Sequence, residues 1–157
     1  MSFSNAHHES AGTALQRLAH ALRVEGQAPA HALAVTGDDG RIWQIDAIAG
    51  ADRLFVHTPV ALPAVLSDGA TNDCLLRINA EVNLTRGAWL ARHVPSDTVR
   101  LFDAIDASDA TLDRLAGHLS RLARVLGQIN AAFRDIADTQ SAPASTFAHV
   151  PIAAASA

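Results

Sequence analysis

Apolar residues recur at alternating intervals of three and four across 111–137: Leu112, Leu115, Leu119, Leu122, Leu126, Ile129, Phe133 and Ile136. That spacing puts them all on one stripe of a helix. Asp113, Arg114, His118, Arg121, Arg124, Gln128, Arg134 and Asp135 lie between them and suit the wet face. Asp106, Asp109 and Asp113 gather at the N-terminus, where free amides and the helix dipole favour negative charge. Asp109 or Thr111 is the expected cap. The heptad-like spacing leaves a zipper open as the alternative, but the repeat is short for a sustained coiled coil. With Ala116 and Ala123 widening the stripe, it reads as a core helix laid across a sheet or a partner.

The same reading applied upstream gives the remaining elements. Leu15, Leu18, Ala19 and Leu22 form a first helical face, starting at Ser10 or Thr13 and ended by Gly26, with Pro29 in the loop beyond. Three strand-like runs follow, 31–36, 41–47 and 53–60, the first two joined by the turn Gly37-Asp38-Asp39-Gly40. Trp43 and Ile45 point one way, Gln44 and Asp46 the other. Leu54, Val56 and Thr58 alternate against Phe55 and His57. After a loop over 67–72, Asn72 or Asp73 caps a short helix with Leu75, Ile78, Asn79 and Val82 on one face and Leu76 beside them; the chain breaks out of it over 83–87. Strands 88–94 and 98–106 then pair around Pro95-Ser96-Asp97. The order α-β-β-β-α-β-β-α predicts an α+β fold, one antiparallel sheet flanked by helices. It occupies a single domain over 10–137, between a polar, flexible N-terminal tail at 1–9 and an Ala/Ser/Pro-rich tail at 138–157 expected to be disordered.

Composition narrows the function more than the fold. At 157 residues the chain is one domain by length. Its twelve basic residues are all Arg and Tyr is absent, a pattern of high-GC codon usage. A net charge of −4 argues against nucleic acid as the main partner. Cys74, the single cysteine, excludes an intramolecular disulfide and a Cys-based zinc site. Residues 1–10 lack the basic start and apolar core of a secretion signal, and no apolar run reaches spanning length. A cytoplasmic protein without membrane insertion is expected.

Candidate chemistry is sparse. The Gly37–Gly40 stretch leads into a strand, so it is a turn and not a phosphate cradle. Cys74 sits on a short helix beside Leu75 and Leu76, as a small buried hydrophobe does. His7-His8-Glu9 makes a poor metal site in a flexible tail. His20, His57, His93 and His118 lie on four elements, and no spacing pairs them with carboxylates, so surface or half-buried positions are expected. Asp103 and Asp106 face opposite sides of their strand. No catalytic residue, metal site or cofactor is expected.

The short helix Cys74-Leu75-Leu76-Arg77-Ile78-Asn79-Ala80-Glu81-Val82-Asn83, the strand Ala88-Trp89-Leu90-Ala91-Arg92, the strand Val99-Arg100-Leu101-Phe102-Asp103-Ala104-Ile105 and the helix opening Asp109-Ala110-Thr111-Leu112-Asp113 carry a resemblance. In element order, size and acidic balance the chain resembles the class I chaperones of type III secretion, the CesT/SycE-like family. Within that family the resemblance extends to the broad-specificity HpaB-type subgroup as one option, and the all-Arg, Ala-rich composition fits a high-GC proteobacterium. Asp103 departs from the family pattern, in which that strand is usually apolar, and the tail after Asp138 is longer and richer in Ala than in many members.

The resemblance implies a non-catalytic homodimer that binds the N-terminal region of effector proteins, holds it extended without ATP, and presents it to the secretion ATPase. Carried over by position, the dimer contact falls on Leu75, Leu76, Ile78, Val82, Trp89 and Leu90. Effector contacts fall on Leu33, Val35, Ile42, Trp43, Leu54 and Phe55. Core packing is the competing explanation for each of these residues. Two other functions stay open: a small α+β adaptor or regulatory protein binding a folded partner, and an enzyme assembled from scattered residues such as His57, Asp46 and Cys74.

Overall fold

The alternating runs become five strands in a computed structural model of the protein, which describes residues 10–24 and 31–141. They are β1 (Ala32–Thr36), β2 (Ile42–Ala47), β3 (Arg53–Pro59), β4 (Trp89–His93) and β5 (Thr98–Asp106). The sheet is antiparallel throughout, in the order β1-β2-β3-β5-β4. Helices α1 (Ala11–Ala21), α2 (Asp68–Ala80), α3 (Val82–Thr85) and α4 (Leu112–Ser141) complete the fold. The α+β architecture is the one expected, with the single turn α3 added.

Strand parity decides the two faces of the sheet. Leu33, Trp43, Ile45, Leu54, Val56, Leu90, Leu101 and Ile105 share the inner face and are buried. They pack with Leu15 and Leu18 of α1 and with Leu115, Leu119, Leu122, Val125, Leu126, Ile129 and Phe133 of α4. Each fully buried large apolar side chain contributes about 1.5–3 kcal/mol. The α4 stripe is therefore the main apolar lid on this face. Val125 joins it from outside the three-four spacing, and Leu112, at the open end, is 37% exposed.

Local chemistry sets the helix ends. Ser10 Oγ accepts from the Thr13 N–H and starts α1. The helix ends at a left-handed Arg23 (φ 54°), before Gly26, which lies outside the described residues. Arg17 donates to the carbonyls of Ala107 and Ala110, both at 3.1 Å, and so ties α1 to the turn that feeds α4. Thr111 caps α4 by accepting from the Arg114 N–H. Ser67, not Asn72 or Asp73, caps α2, accepting from the Ala70 N–H with Asp68 in the first turn. The predicted loop over 67–72 is thus helical, because a Ser-Asp start outweighs the weak helix formers Gly69 and Asn72. Helix α4 continues four residues past Ala137, where Thr139 Oγ1 donates to the Asp135 carbonyl. The rest of the Ala/Ser/Pro-rich stretch, and the His7-His8-Glu9 run, lie outside the described residues.

Candidate functional site

The inner face is left open at one end. The β1–β2 turn, closed by the Gly40 N–H donating to the Gly37 carbonyl at 3.0 Å, stands away from the stretch of α4 between Leu112 and Ala123. Between them runs an apolar groove of about 490 Å³. Val35, Trp43, Leu115 and Leu119 form its walls, Leu22 closes one side, and Asp38, Asp39 and Asp113 sit at its mouth. Trp43 is fully buried, yet its indole Nε1 has no hydrogen-bond partner among the described residues.

The two sheet edges differ. At β4 the Asn79 side chain donates from Nδ2 to the Leu90 carbonyl at 2.9 Å and accepts at Oδ1 from the Leu90 N–H at 2.8 Å. The amide thus occupies the backbone groups that an added strand would use. At β1, Gly37 and His31 exchange bonds with Arg41 and Ala47. Antiparallel alternation then turns the backbone groups of Ala32, Ala34 and Thr36 outward. No further strand pairs with β1 among the described residues.

The outer face carries aromatic and polar side chains. Trp89 stacks on Phe102 (5.9 Å between centroids, 14° between planes), and Phe55 meets Trp89 edge-on at 6.4 Å. Beside them His57 is fully buried, with Nε2 2.8 Å from Asp46 Oδ2 and Nδ1 2.9 Å from the Arg100 guanidinium. Arg100 can only donate, so Nδ1 accepts and Nε2–H donates to Asp46. Burial pushes the Asp46 carboxyl up, but hydrogen bonds from His57 and Gln44 outweigh it and hold the pKa below its ordinary 3.8. The expectation that no histidine pairs with a carboxylate, and that His57 lies at or near the surface, is corrected here. Gln44 lies opposite His57 across β2 and β3, which brings Asp46 to it on the diagonal.

A second pair lies on the inner face. Asp103 is buried there against Arg121, and His118 Nε2 lies 3.4 Å from the same carboxylate oxygen. Asp106 faces the other way and pairs with Arg53 at 3.0 Å. Cys74 is buried on α2 among apolar neighbours. Among the described residues, no group of three or more His, Cys, Asp or Glu side chains could hold a metal ion, and no helix is long and apolar enough to cross a membrane.

The candidate contact residues divide between core and surface. Leu33, Trp43 and Leu54 are core residues, Trp43 also lining the groove; Val35 is half-buried in the groove wall. Ile42 is 63% exposed, and Phe55 is half-buried on the outer face. Leu75, Ile78 and Leu90 pack into the core, whereas Leu76 (71%) and Val82 (70%) project into solvent and Trp89 is half-buried. The Asn79 clamp escaped sequence reasoning, although Asn on the apolar face of a short helix was its visible signal.

No family model matches the chain, and no curated protein matches it in sequence. Its fold does match solved structures. A chain of the HopA1–SchA chaperone–effector complex aligns with a TM-score of 0.51 at 15% identity, over 78% of this chain and 91% of that one. A chain of the ExsC–ExsE complex aligns at 0.50 and 18% identity, over 78% and 90%. A chain of the heterodimeric ExoU–SpcU complex from the type III secretion system of Pseudomonas aeruginosa aligns at 0.50 and 15%, over 76% and 93%. The chain therefore has a fold like that of the class I type III secretion chaperones.

Proposed function

We propose that this protein is a type III secretion chaperone: a homodimer, in the cytoplasm, that binds the N-terminal region of one or more effector proteins. It keeps that region extended and ready for secretion without ATP or another cofactor, and docks on the secretion ATPase. The observation that carries this reading is the fold. Among the chains it matches, one comes from a chaperone–effector complex and one from a type III secretion complex, each covered across more than nine-tenths of its length.

The surfaces support it. An extended client needs a free strand edge and apolar recesses for alternate side chains. The outward backbone groups of β1 and the groove beside Val35 are of that kind. Leu76 and Val82, apolar and solvent-facing on either side of the Asn79 clamp, are surfaces for a second copy to cover, with Trp89 nearby on β4. Nothing in this reading asks for catalysis, and the His57–Asp46–Arg100 cluster then holds the outer face together.

Light scattering on the purified protein, alone and co-expressed with N-terminal segments of candidate effectors, tests the proposal. A dimer of about twice 16.5 kDa that retains an unfolded segment supports it. A monomer that retains none rejects it, and binding only to a folded partner selects the adaptor reading.

A further inference from the structure

The groove between the β1–β2 turn and the start of α4 is more selective than an apolar recess alone. Its charged lining residues are Asp38, Asp39 and Asp113, and no basic side chain lines it among the described residues. Arg41 and its own N–H already hold Asp39. Asp38 and Asp113 have no such side-chain partner among the described residues; the first turn of α4 favours the Asp113 charge, but no cation pairs with either carboxylate at the mouth. At the turn end, Trp43 Nε1 is buried without a hydrogen-bond partner among the described residues, a desolvated donor that favours any ligand able to supply an acceptor. The groove also runs into the outward edge of β1 through Val35 and Thr36. A strand laid on that edge sends alternate side chains to the inner face, beside Val35.

We propose that this groove seats an apolar side chain of an extended client segment that carries an Arg or Lys one or two residues away. The apolar side chain fills the recess, and the cation meets Asp38 and Asp113. This rests on the chaperone reading and deepens it: the client is chosen by charge as well as by apolar pattern. Both carboxylates are near solvent, so each contact is individually weak and is screened by salt. Reversing the client's charge changes both contacts in the same direction.

The test uses the full-length protein and three labelled dodecapeptides that share a central Leu in an alternating apolar pattern. They differ only in flanking residues: Arg, Ser or Glu. Fluorescence anisotropy at low salt should rank them Arg, Ser, Glu, with about tenfold between the first and last. High salt, or Asp38→Asn with Asp113→Asn, should bring the three within about twofold. Ser120→Trp and Ala116→Phe, at exposed positions of the groove wall, should abolish binding of all three while circular dichroism and Tm stay unchanged. Absence of binding by every peptide, a missing charge order, or binding that survives the wall variants overturns the inference. So does an affinity set by removing residues 142–157, which would show the chain's own end to be the occupant, or set by protein concentration, which would show a second copy there. Effector co-expression separates this from the parent proposal. If the wall variants capture an effector segment as well as the unaltered protein, only the groove assignment falls; if the unaltered protein captures none, the chaperone reading falls with it.

Discussion

The side-chain amide of Asn79 is a surrogate strand for Leu90. It donates to the Leu90 carbonyl and accepts from its N–H, at 2.9 and 2.8 Å, and so fastens α2 to the outermost strand of the sheet. One side chain both positions the helix that carries Leu76 and blocks the edge of β4. Edge strands left unprotected pair with other chains, so the blocking has a consequence for solubility as well as for fold.

Asn79→Leu leaves the N–H and carbonyl of Leu90 without that partner at a part-buried site. Urea unfolding should show a loss of about 2 kcal/mol with an unchanged m-value. Concentration-dependent association through the opened edge should accompany it. A variant as stable as the parent would show that water replaces the amide without cost.

Leu76 and Val82 are exposed, so introducing charge there costs the folded protomer little. If a second copy covers them, Leu76→Asp and Val82→Asp bury a carboxylate in the contact and split it. Sedimentation should then report a protomer near 16.5 kDa with an unchanged Tm at low concentration. A full dimer in both variants places the contact elsewhere.

Much of this fold was legible because its elements are periodic. The stripe from Leu115 to Phe133 could be only a helix, and the alternation from Trp43 to Ala47 only a strand with one buried face. What the periodicity could not supply was the cross-strand diagonal. His57 meets Asp46 only because the turn between β2 and β3 sets Gln44 opposite His57, and register depends on turn geometry that spacing does not encode. The contact residues divide for a similar reason. Parity shows that Leu54 and Phe55 face opposite ways, but not that helices cover the side of Leu54. Asn79 was visible as a position on α2, while its role appeared only once β4 lay beside it.

Asp103 stands on the inner face of β5, where the surrounding positions are apolar, and is buried against Arg121. Asp103→Ala leaves the guanidinium without its carboxylate. Because Arg121 also donates to the Arg86 carbonyl and is partly exposed, the expected loss is about 2 kcal/mol, below that of a fully buried pair. Replacing both partners, Asp103→Leu with Arg121→Met, should recover most of it, since the desolvation cost goes with the pair. A double-mutant cycle read by chemical denaturation measures the coupling. A double variant as weak as Asp103→Ala would mean that the pair positions α4 beyond its own energy.

His118 lies against the same carboxylate, and its titration shows which influence prevails. Burial lowers its pKa below the ordinary 6.5, Asp103 opposes this, and Arg121 adds to the lowering; the net direction is down. The unfolded chain therefore takes up a proton near pH 6.5 while the folded protein still holds the neutral ring. The associated stability is fully present above that pH and is lost as pH falls through the folded pKa. His118→Gln removes the titration. The unfolding free energy of the parent minus that of the variant should be flat between about pH 8 and pH 7 and decline toward pH 5. A proton NMR titration of the His118 ring should give a midpoint below 6.5 in the folded protein. A midpoint above 6.5, with the stability difference growing as pH falls, would show that the Asp103 charge outweighs burial.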